Sequence, residues 1–326
     1  MPTFLDYLPP PPKPPLRVAI SECLVGGEVR HDGSSKKSSL PHKELEGLFD
    51  FQPVCPEVSI GMGVPREAIR LTGDVKNPQA VGTKSAHINV TRELREFANE
   101  YVPQLDEVDG YILMKNSPSC GLFRVKVYGE PATPPINEGR GIYAAEVVRQ
   151  RPWLPFEENG RLTDPELREN FVTRAFVHAH WRALSGKGIE AKHLIAFHSA
   201  YKYLLMAHSV PSYQKLGKLL SNLSTNIEDI ANTYFLELMR GLSSVASRGG
   251  HANVMSHLQG YVKNDMTSSA RQELANLIES YRKGEVPLMA PLSLLKHHLG
   301  QHEAVYAWDQ FYLNPHPPQA GLRRHL

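Results

Sequence analysis

The three cysteines of this chain each follow a short apolar segment that predicts a buried β-strand. Cys23 follows the apolar segment 18–20, Cys55 follows 51–54, and Cys120 follows 111–114. Short apolar runs that end in Gly, Pro or Asn are typical of strands buried in a parallel sheet. In open parallel sheets, ligands bind beyond the carboxyl ends of the strands. We therefore expect the three thiols to share one site.

The first half of the chain alternates predicted strands and helices. The predicted strands are Arg17–Ile20, Phe51–Val54, Gly110–Met114 and Arg124–Tyr128, and the predicted helices are Leu40–Phe49, Glu93–Tyr101 and Gly141–Arg149. This alternation is typical of an open, mostly parallel sheet with helices on its faces. Residues 16–156 are therefore predicted to form an α/β domain.

The second half of the chain has apolar residues at helical spacing and almost no strand signals. Its predicted helices are Leu167–Leu184, His193–His208, Tyr213–Leu220, Asp229–Arg248, Asn253–Val262 and Ser268–Arg282. Asp164-Pro165-Glu166 is a typical helix start, with an N-cap, a proline and an acidic first turn. We expect an all-α domain at residues 165–326 after a linker at Trp153–Asp164. Residues 1–15 are expected to be a flexible proline-rich tail, and a loose tail is expected from Asn314.

Composition narrows the class of protein. The sequence has no run of about 18 apolar residues, so no membrane span is expected. Three cysteines, an odd number, without a secretion signal indicate a reducing cytoplasm. Residues 166–326 carry 17 Lys and Arg against 12 Asp and Glu, a balance of +5, whereas the remainder carries 19 against 22. The helical half is therefore the expected contact for an anionic macromolecule.

Three thiols in one site predict a metal centre. Thiolates favour zinc, copper or an iron–sulfur cluster. Three thiolates on a four-iron cluster leave one iron open to act as a Lewis acid. A structural zinc site usually has a fourth ligand and a close Cys-x-x-Cys pair, and this sequence has no such pair. Three unrelated buried thiols are the simplest alternative, because free cysteine packs as a small hydrophobe.

Three separated motifs resemble the signature of the thiouracil desulfidase family. They are Ile20–Gly26 with Val29–Gly33, Val54–Glu57 with Gly63–Arg66, and Lys115–Gly121. The resemblance covers roughly residues 16–155. Two positions differ from the usual pattern, His31 and Glu22, and neither is a proposed ligand.

The second half resembles a helical family of the YbgA type. The stretches that carry this resemblance are Leu167–Phe171, Phe197–His208, His251–Tyr261 and Val286–Pro291. The two domains together resemble bacterial desulfidases that remove sulfur from 4-thiouridine in transfer RNA. The implied partner is thus a transfer RNA that contains 4-thiouridine.

The resemblance implies a 4Fe–4S cluster held by Cys23, Cys55 and Cys120. It also implies catalytic roles for Glu57 and Ser117. Glu57 could deprotonate the attacking water, and Ser117 could position the ring or donate to a developing anion. The simpler interpretations are a surface carboxylate for Glu57 and a turn residue for Ser117.

Two other functions remain open. One is a desulfidase of free thiouracil or thionucleosides, with the helical domain used for oligomerisation. The other is a non-enzymatic RNA-binding protein with a structural thiolate metal site.

Weaker signals concern anion and RNA binding. Candidate phosphate contacts are Arg30, Lys36, Lys37, Arg66 and Arg70. The helix start at Gly139–Gly141 could bind an anion, although a tight turn explains the two glycines equally well. Four histidines could line an RNA-binding face or be ordinary core residues: His198, His208, His251 and His257.

Overall fold

The computed structural model describes residues 3–37, 45–85, 87–130, 133–186, 188–221, 223 and 226–326. The chain divides into two compact units. The sheet unit is Pro14–Asp164. The helical unit comprises Pro165–Leu326 together with the described residues up to Lys13.

The first sheet of the sheet unit is parallel throughout. It contains β1 (Leu16–Ser21), β2 (Phe49–Val54), β5 (Tyr111–Leu113) and β8 (Phe156–Glu158), in the order β2-β1-β5-β8. Strands β1 and β5 at the centre are almost entirely buried, as expected for strands covered on both faces. The predicted α/β class with a parallel sheet is therefore confirmed.

A second, mixed sheet was not foreseen as a sheet. It contains β3 (Ile69–Thr72), β4 (Gln79–Gly82), β6 (Val125–Tyr128) and β7 (Ile136–Gly139), in the order β4-β3-β6-β7. Only the β3–β6 pair is parallel. The four strands have four residues each, which is too short for alternation to stand out in the sequence.

Three α-helices and a buried aromatic pair accompany the two sheets in the described part of the sheet unit. The helices are α1 (Pro56–Ser59), α2 (Thr91–Tyr101) and α3 (Ile142–Gln150). Tyr111 on β5 and Tyr143 on α3 are fully buried, and their hydroxyl oxygens lie 3.1 Å apart. This contact ties the central strand to the helix behind it.

The helical unit is all-α in its described part, as predicted. Its helices are α4 (Pro165–Ser185), α5 (Ala191–His208), α6 (Val210–Leu220), α7 (Ile227–Leu242), α8 (Arg248–Gln259), α9 (Ser268–Lys283), α10 (Met289–Gln301) and α11 (Val305–Trp308). The central helix α4 is buried over most of its length, and the Trp181 ring on it stacks on Phe235 with centroids 4.7 Å apart.

Two helix predictions need correction. The predicted helix at 229–248 ends at Leu242, because the Ser247 side chain accepts a hydrogen bond from the Gly250 amide and caps a new helix, α8. Residues 40–44 of the predicted helix at 40–49 lie outside the described residues. Residues 45–48 form a bend and a turn, because Gly47 has a φ of +73°.

The described residues of the expected tails and linker are ordered parts of the two units. Residues 4–7 form a 3-10 helix, and His180 Nε2 donates to the Pro9 carbonyl over 2.8 Å. At the other end, Arg323 is buried and donates to Glu169 over 2.8 Å. The expected linker at 153–164 contains β8, so the predicted domain boundary at residue 156 lies inside a strand.

No helix in the part of the chain that the structure describes is long and apolar enough to cross a membrane.

Candidate metal centre

The three cysteines meet because their strands are neighbours. The order β2-β1-β5 places the carboxyl ends of three parallel strands side by side. Cys23 lies two residues after β1, Cys55 directly after β2, and Cys120 in the loop after β5. All three line one cavity of about 390 Å³, a volume typical of a small-ligand site. The predicted shared thiol site is present in the structure.

The loop that carries Cys120 is fixed by the start of helix α3. The amide of Gly141 donates to the Gly121 carbonyl over 2.7 Å, and that of Ile142 donates to Pro118 over 3.0 Å. A Cβ at Gly141 would collide with the Ser119 carbonyl, so only glycine allows this approach. These amides are used inside the protein, so they hold the loop of Cys120 and do not form the anion site considered for Gly139–Gly141.

Glu158 fixes the same loop from the other side. One of its carboxylate oxygens accepts hydrogen bonds from the amides of Leu122 and Phe123, at 2.8 and 2.9 Å. Glu158 is buried on strand β8. No local sequence signal predicts this contact, because the two amides lie 36 and 35 residues away from Glu158.

The three thiols influence one another through their charges. Burial raises the pKa of the Cys23 thiol to about 11, and Cys55 adds to the rise. Burial also raises the pKa of Cys55, and it raises that of Cys120 well above its usual range. Glu57 and both other cysteines raise the pKa of Cys120 further, whereas a hydrogen bond from Ser21 lowers it. Burial therefore disfavours three free thiolates in this cavity, whereas a bound cation deprotonates the thiols that coordinate it.

The donor set fits a cluster better than a single ion. No group of three His, Cys, Asp or Glu side chains in the described ranges could hold one metal ion. A four-iron cluster does not need such convergence, because each cysteine binds a different iron. The chemistry of three separate thiols around one cavity, with Cys120 buried and Cys23 and Cys55 partly buried, thus matches the cluster that the motifs imply.

Glu57 lies on α1 with both carboxylate oxygens engaged. Oε2 accepts hydrogen bonds from Arg66 Nε at 3.0 Å and Nη2 at 2.6 Å, and Oε1 accepts from the Ser119 hydroxyl at 2.8 Å. The side chains of Glu57 and Arg66 are only 16% and 5% exposed. Glu57 is therefore a carboxylate at the cavity wall that Arg66 and Ser119 fix in place, and not a freely solvated surface group.

Ser117 lines the cavity and also stabilises its loop. Its hydroxyl oxygen accepts the amides of Ser119 at 3.2 Å and Cys120 at 3.0 Å. The turn role considered for Ser117 is thus present. The hydroxyl hydrogen takes no part in these two bonds, so the side chain can still donate into the cavity.

The candidate phosphate contacts divide into two groups. Arg30, Lys36 and Arg66 line the thiol cavity, whereas Lys37 and Arg70 do not. Arg66 is committed to Glu57, so its interpretation as a phosphate contact is replaced by a structural one.

Several cavity residues were not singled out as functional from the sequence. Ser21, Lys115 and Asn116 line the cavity, and so do the two positions that differ from the family pattern, Glu22 and His31. All five lie within the motifs that contain or flank the cysteines, and that position was the available signal.

The four candidate RNA-binding histidines do not form one face. His251 is buried against the Tyr312 hydroxyl at 3.1 Å, and burial lowers its pKa to about 3. His198 is partly buried beside Tyr234, and His208 Nδ1 donates to the Ser244 carbonyl over 2.7 Å. Only His257 is exposed. The core interpretation therefore holds for three of the four.

These observations define the class of protein: the chain combines an α/β unit, which presents three thiols in one cavity, with an all-α unit. Comparison with known families agrees with this division. Residues 18–159 match the family model of 2-thiouracil desulfurase, and residues 202–317 match the family described as a protein of unknown function, DUF1722.

The helical unit has a curated relative. The uncharacterized protein YbgA of Escherichia coli (strain K12) is 35% identical over 157 residues, which are 48% of this chain and 93% of YbgA. The chain belongs to the YbgA-type family, and its sheet unit is a domain of the 2-thiouracil desulfurase family. Both resemblances seen in the sequence are confirmed.

A solved structure is also similar to this chain. The [4Fe-4S]-dependent thiouracil desulfidase TudS is 25% identical and covers 46% of this chain and 94% of its own, with a TM-score of 0.37.

Proposed function

We propose that this protein is an iron–sulfur-dependent desulfidase that converts 4-thiouridine in transfer RNA to uridine and releases hydrosulfide. The observation that carries the proposal is the single cavity shared by Cys23, Cys55, Cys120, Glu57 and Ser117. Membership of the sheet unit in the 2-thiouracil desulfurase family supports the reaction class.

Cys23, Cys55 and Cys120 hold a 4Fe–4S cluster through one thiolate each. When bound, a cluster with three protein ligands supplies one open iron that can act as a Lewis acid toward sulfur. The other polar groups of the cavity belong to the protein, and they provide the proton transfer and the orientation of the base.

The reaction exchanges a C=S bond for a C=O bond. The oxygen of a water molecule adds to the ring carbon, the carbon–sulfur bond breaks, and the sulfur leaves as hydrosulfide. Glu57 accepts one proton of the water, and the other passes from the added oxygen to the sulfur, so that the C=O bond forms as hydrosulfide leaves. Its Oε1 has one lone-pair position left beside the Ser119 hydroxyl, whereas its Oε2 is filled by two bonds from Arg66. Arg66 and Ser119 thereby fix which oxygen is the base.

Ser117 donates its hydroxyl hydrogen to the negative charge that develops on the substrate. Its oxygen is held by two backbone amides, so the hydroxyl is oriented before the substrate binds. A donor that is fixed in advance stabilises a developing charge without reorganisation.

The cavity limits what can enter. A volume of about 390 Å³ that also holds the cluster leaves room for one nucleobase but not for a stacked helix. A thiouridine in transfer RNA must therefore leave its stack, as bases do in other base-modifying enzymes.

The helical unit contributes to holding the RNA. Its balance of +5 suits a polyanion. It also carries a tyrosine–lysine cluster of Lys202, Tyr203, Tyr261 and Tyr306, in which Tyr261 and Tyr306 are exposed and Tyr203 is buried. Lys202 Nζ lies 4.9 Å from the ring centroids of both Tyr203 and Tyr306, and Tyr261 stacks on Tyr306. Exposed aromatic rings beside a cation suit unpaired bases.

The proposal is tested by incubating anaerobically prepared protein with transfer RNA that contains 4-thiouridine. Nucleosides are then analysed by mass spectrometry, and released hydrosulfide is measured. We expect equal amounts of new uridine and hydrosulfide, and no reaction with the Cys120→Ala variant.

Parallel reactions with free 4-thiouridine and 2-thiouracil separate the alternatives. Desulfurisation of the free compounds with the RNA untouched would favour the free-substrate function. Binding of the RNA without loss of sulfur from any substrate would favour a non-enzymatic RNA-binding protein.

A further inference from the structure

A second and larger cavity of the sheet unit adjoins the thiol cavity. It has a volume of about 1090 Å³, against about 390 Å³ for the thiol cavity. Asn116 lines both of them, in the loop between β5 and Cys120. The two cavities therefore meet at Asn116.

Cations dominate the walls of this larger cavity, which we call the arginine groove. Its six cationic side chains are Lys76, Arg95, Arg124, Arg140, Arg149 and Arg161. The acidic side chains in its lining are Glu138, Glu146 and Glu158, which leaves an excess of three positive charges. The whole sheet unit, by contrast, carries 18 Lys and Arg against 21 Asp and Glu. Positive charge is thus concentrated in the groove of a unit that is negative overall.

Some of these charges are already paired, and others are available. Arg149 pairs with Glu146, and Arg161 pairs with Glu157 at 2.7 Å. Among the residues that the structure describes, Lys76 and Arg124 have no carboxylate within 4.0 Å. Two cations without partners in a concave wall suit an anionic ligand.

An exposed aromatic ring lies among the cations. Phe123 is 38% exposed, and the Arg161 guanidinium lies 4.9 Å from its ring centroid. Phe123 follows Cys120 by three residues, and its amide is held by the buried Glu158. A ring on a fixed backbone beside arginine is a platform on which a nucleobase can stack.

We propose that the arginine groove binds the RNA strand next to the nucleotide whose base enters the thiol cavity. Phosphates of the strand contact Lys76 and Arg124, and a neighbouring base stacks on Phe123. The groove is larger than a site for one small molecule, which suits a segment of several nucleotides. The choice of RNA rests on the proposed function, but the groove is tested by binding alone.

The test measures the affinity of the full-length holoprotein for unmodified transfer RNA at several salt concentrations. We compare wild type with Lys76→Gln/Arg124→Gln. The matched control is Lys84→Gln/Arg92→Gln, which removes two exposed cations outside the groove. The groove variant should bind roughly tenfold more weakly at low salt, and its salt slope should fall by about 2, one for each lost phosphate contact. The control should bind as wild type does.

A second pair of variants tests the stacking platform. Phe123→Leu should weaken RNA binding by about tenfold with no change in the salt slope, because stacking does not release counterions. Phe123→Tyr keeps a ring and should bind as wild type does.

The outcomes separate this inference from the proposed function. Equal affinities and salt slopes for the groove variant and its control would overturn the groove. Equal binding of polyglutamate and RNA would also overturn it, because it would show a general acidic-polymer surface. Groove-dependent RNA binding by a protein that removes sulfur from no substrate would support the groove and refute the desulfidase.

Discussion

Arg66 donates two hydrogen bonds to a single oxygen of Glu57, from Nε at 3.0 Å and from Nη2 at 2.6 Å. Arg66 is itself fixed, because its Nη1 donates to the Gly63 carbonyl over 2.9 Å. One carboxylate oxygen is thus occupied, and the other accepts only the Ser119 hydroxyl and keeps one lone-pair position. The arrangement makes Arg66 a positioning residue for the proposed base.

The first prediction concerns this pair. Arg66→Lys keeps the charge but cannot place two donors in one plane, so Glu57 should lose its fixed orientation. We expect turnover to fall by about 10- to 100-fold, as expected for a misplaced catalytic group, with the cluster absorbance retained. Glu57→Gln should also keep the absorbance and should lose about 100-fold or more. Normal turnover of Glu57→Gln would show that this carboxylate is structural.

Ser117 accepts hydrogen bonds that stabilise its turn, and it is also the proposed donor to the substrate. The substitution Ser117→Ala removes both, and the sizes of its effects on stability and on turnover tell the two roles apart. Loss of the two hydrogen bonds from the amides of Ser119 and Cys120 should lower the free energy of unfolding of Ser117→Ala by about 1 kcal/mol. Loss of the donor should lower turnover by about 100-fold, far more than such a change in stability explains. Urea titration and single-turnover rates on the same preparation give both numbers. A fall in stability with unchanged turnover would leave Ser117 as a turn residue only.

The helical unit should lose stability in mild acid. Burial lowers the pKa of His251 to about 3, against about 6.5 in an unfolded chain. Between these values the unfolded chain binds a proton that the folded chain does not, so the free energy of unfolding falls as the pH falls. From pH 7 to pH 5 the loss from His251 should be about 2 kcal/mol.

The variant His251→Gln provides the comparison for this effect. It should unfold with a pH dependence that is weaker by that same amount. Urea titrations followed by circular dichroism measure the difference. Identical pH dependence in wild type and variant would show that His251 does not contribute.

The structure changes where the chain can be divided. A chain that ends near Trp153, where the predicted linker begins, would lose strand β8 and the Glu158 carboxylate that holds the loop of Cys120. We expect residues 14–164 to keep the cluster and to desulfurise free 4-thiouridine, and residues 14–153 to lose both properties. Residues 14–164 should also lose most activity on transfer RNA. Full activity on transfer RNA would show that the helical unit has another role.

The convergence of the three cysteines could be predicted because it depends on local signals. Each apolar run identified a strand, and parallel strands bring their carboxyl ends to one edge. The contacts that fix the site could not be predicted, because they join distant parts of the sequence. Glu158 holds amides 35 and 36 residues away, and Arg323 reaches Glu169 across 154 residues. Arg66 was interpreted as a phosphate contact because a sequence does not show which carboxylate a cation meets.

The central claim is that Cys23, Cys55 and Cys120 hold a four-iron cluster in one cavity. The most direct measurement is the iron, zinc and acid-labile sulfide content of full-length protein prepared without oxygen. We predict about four irons and four sulfides per chain, with loss of both in the Cys23→Ala, Cys55→Ala and Cys120→Ala variants. Stoichiometric zinc without iron, or full iron and sulfide in any of these variants, would contradict the account.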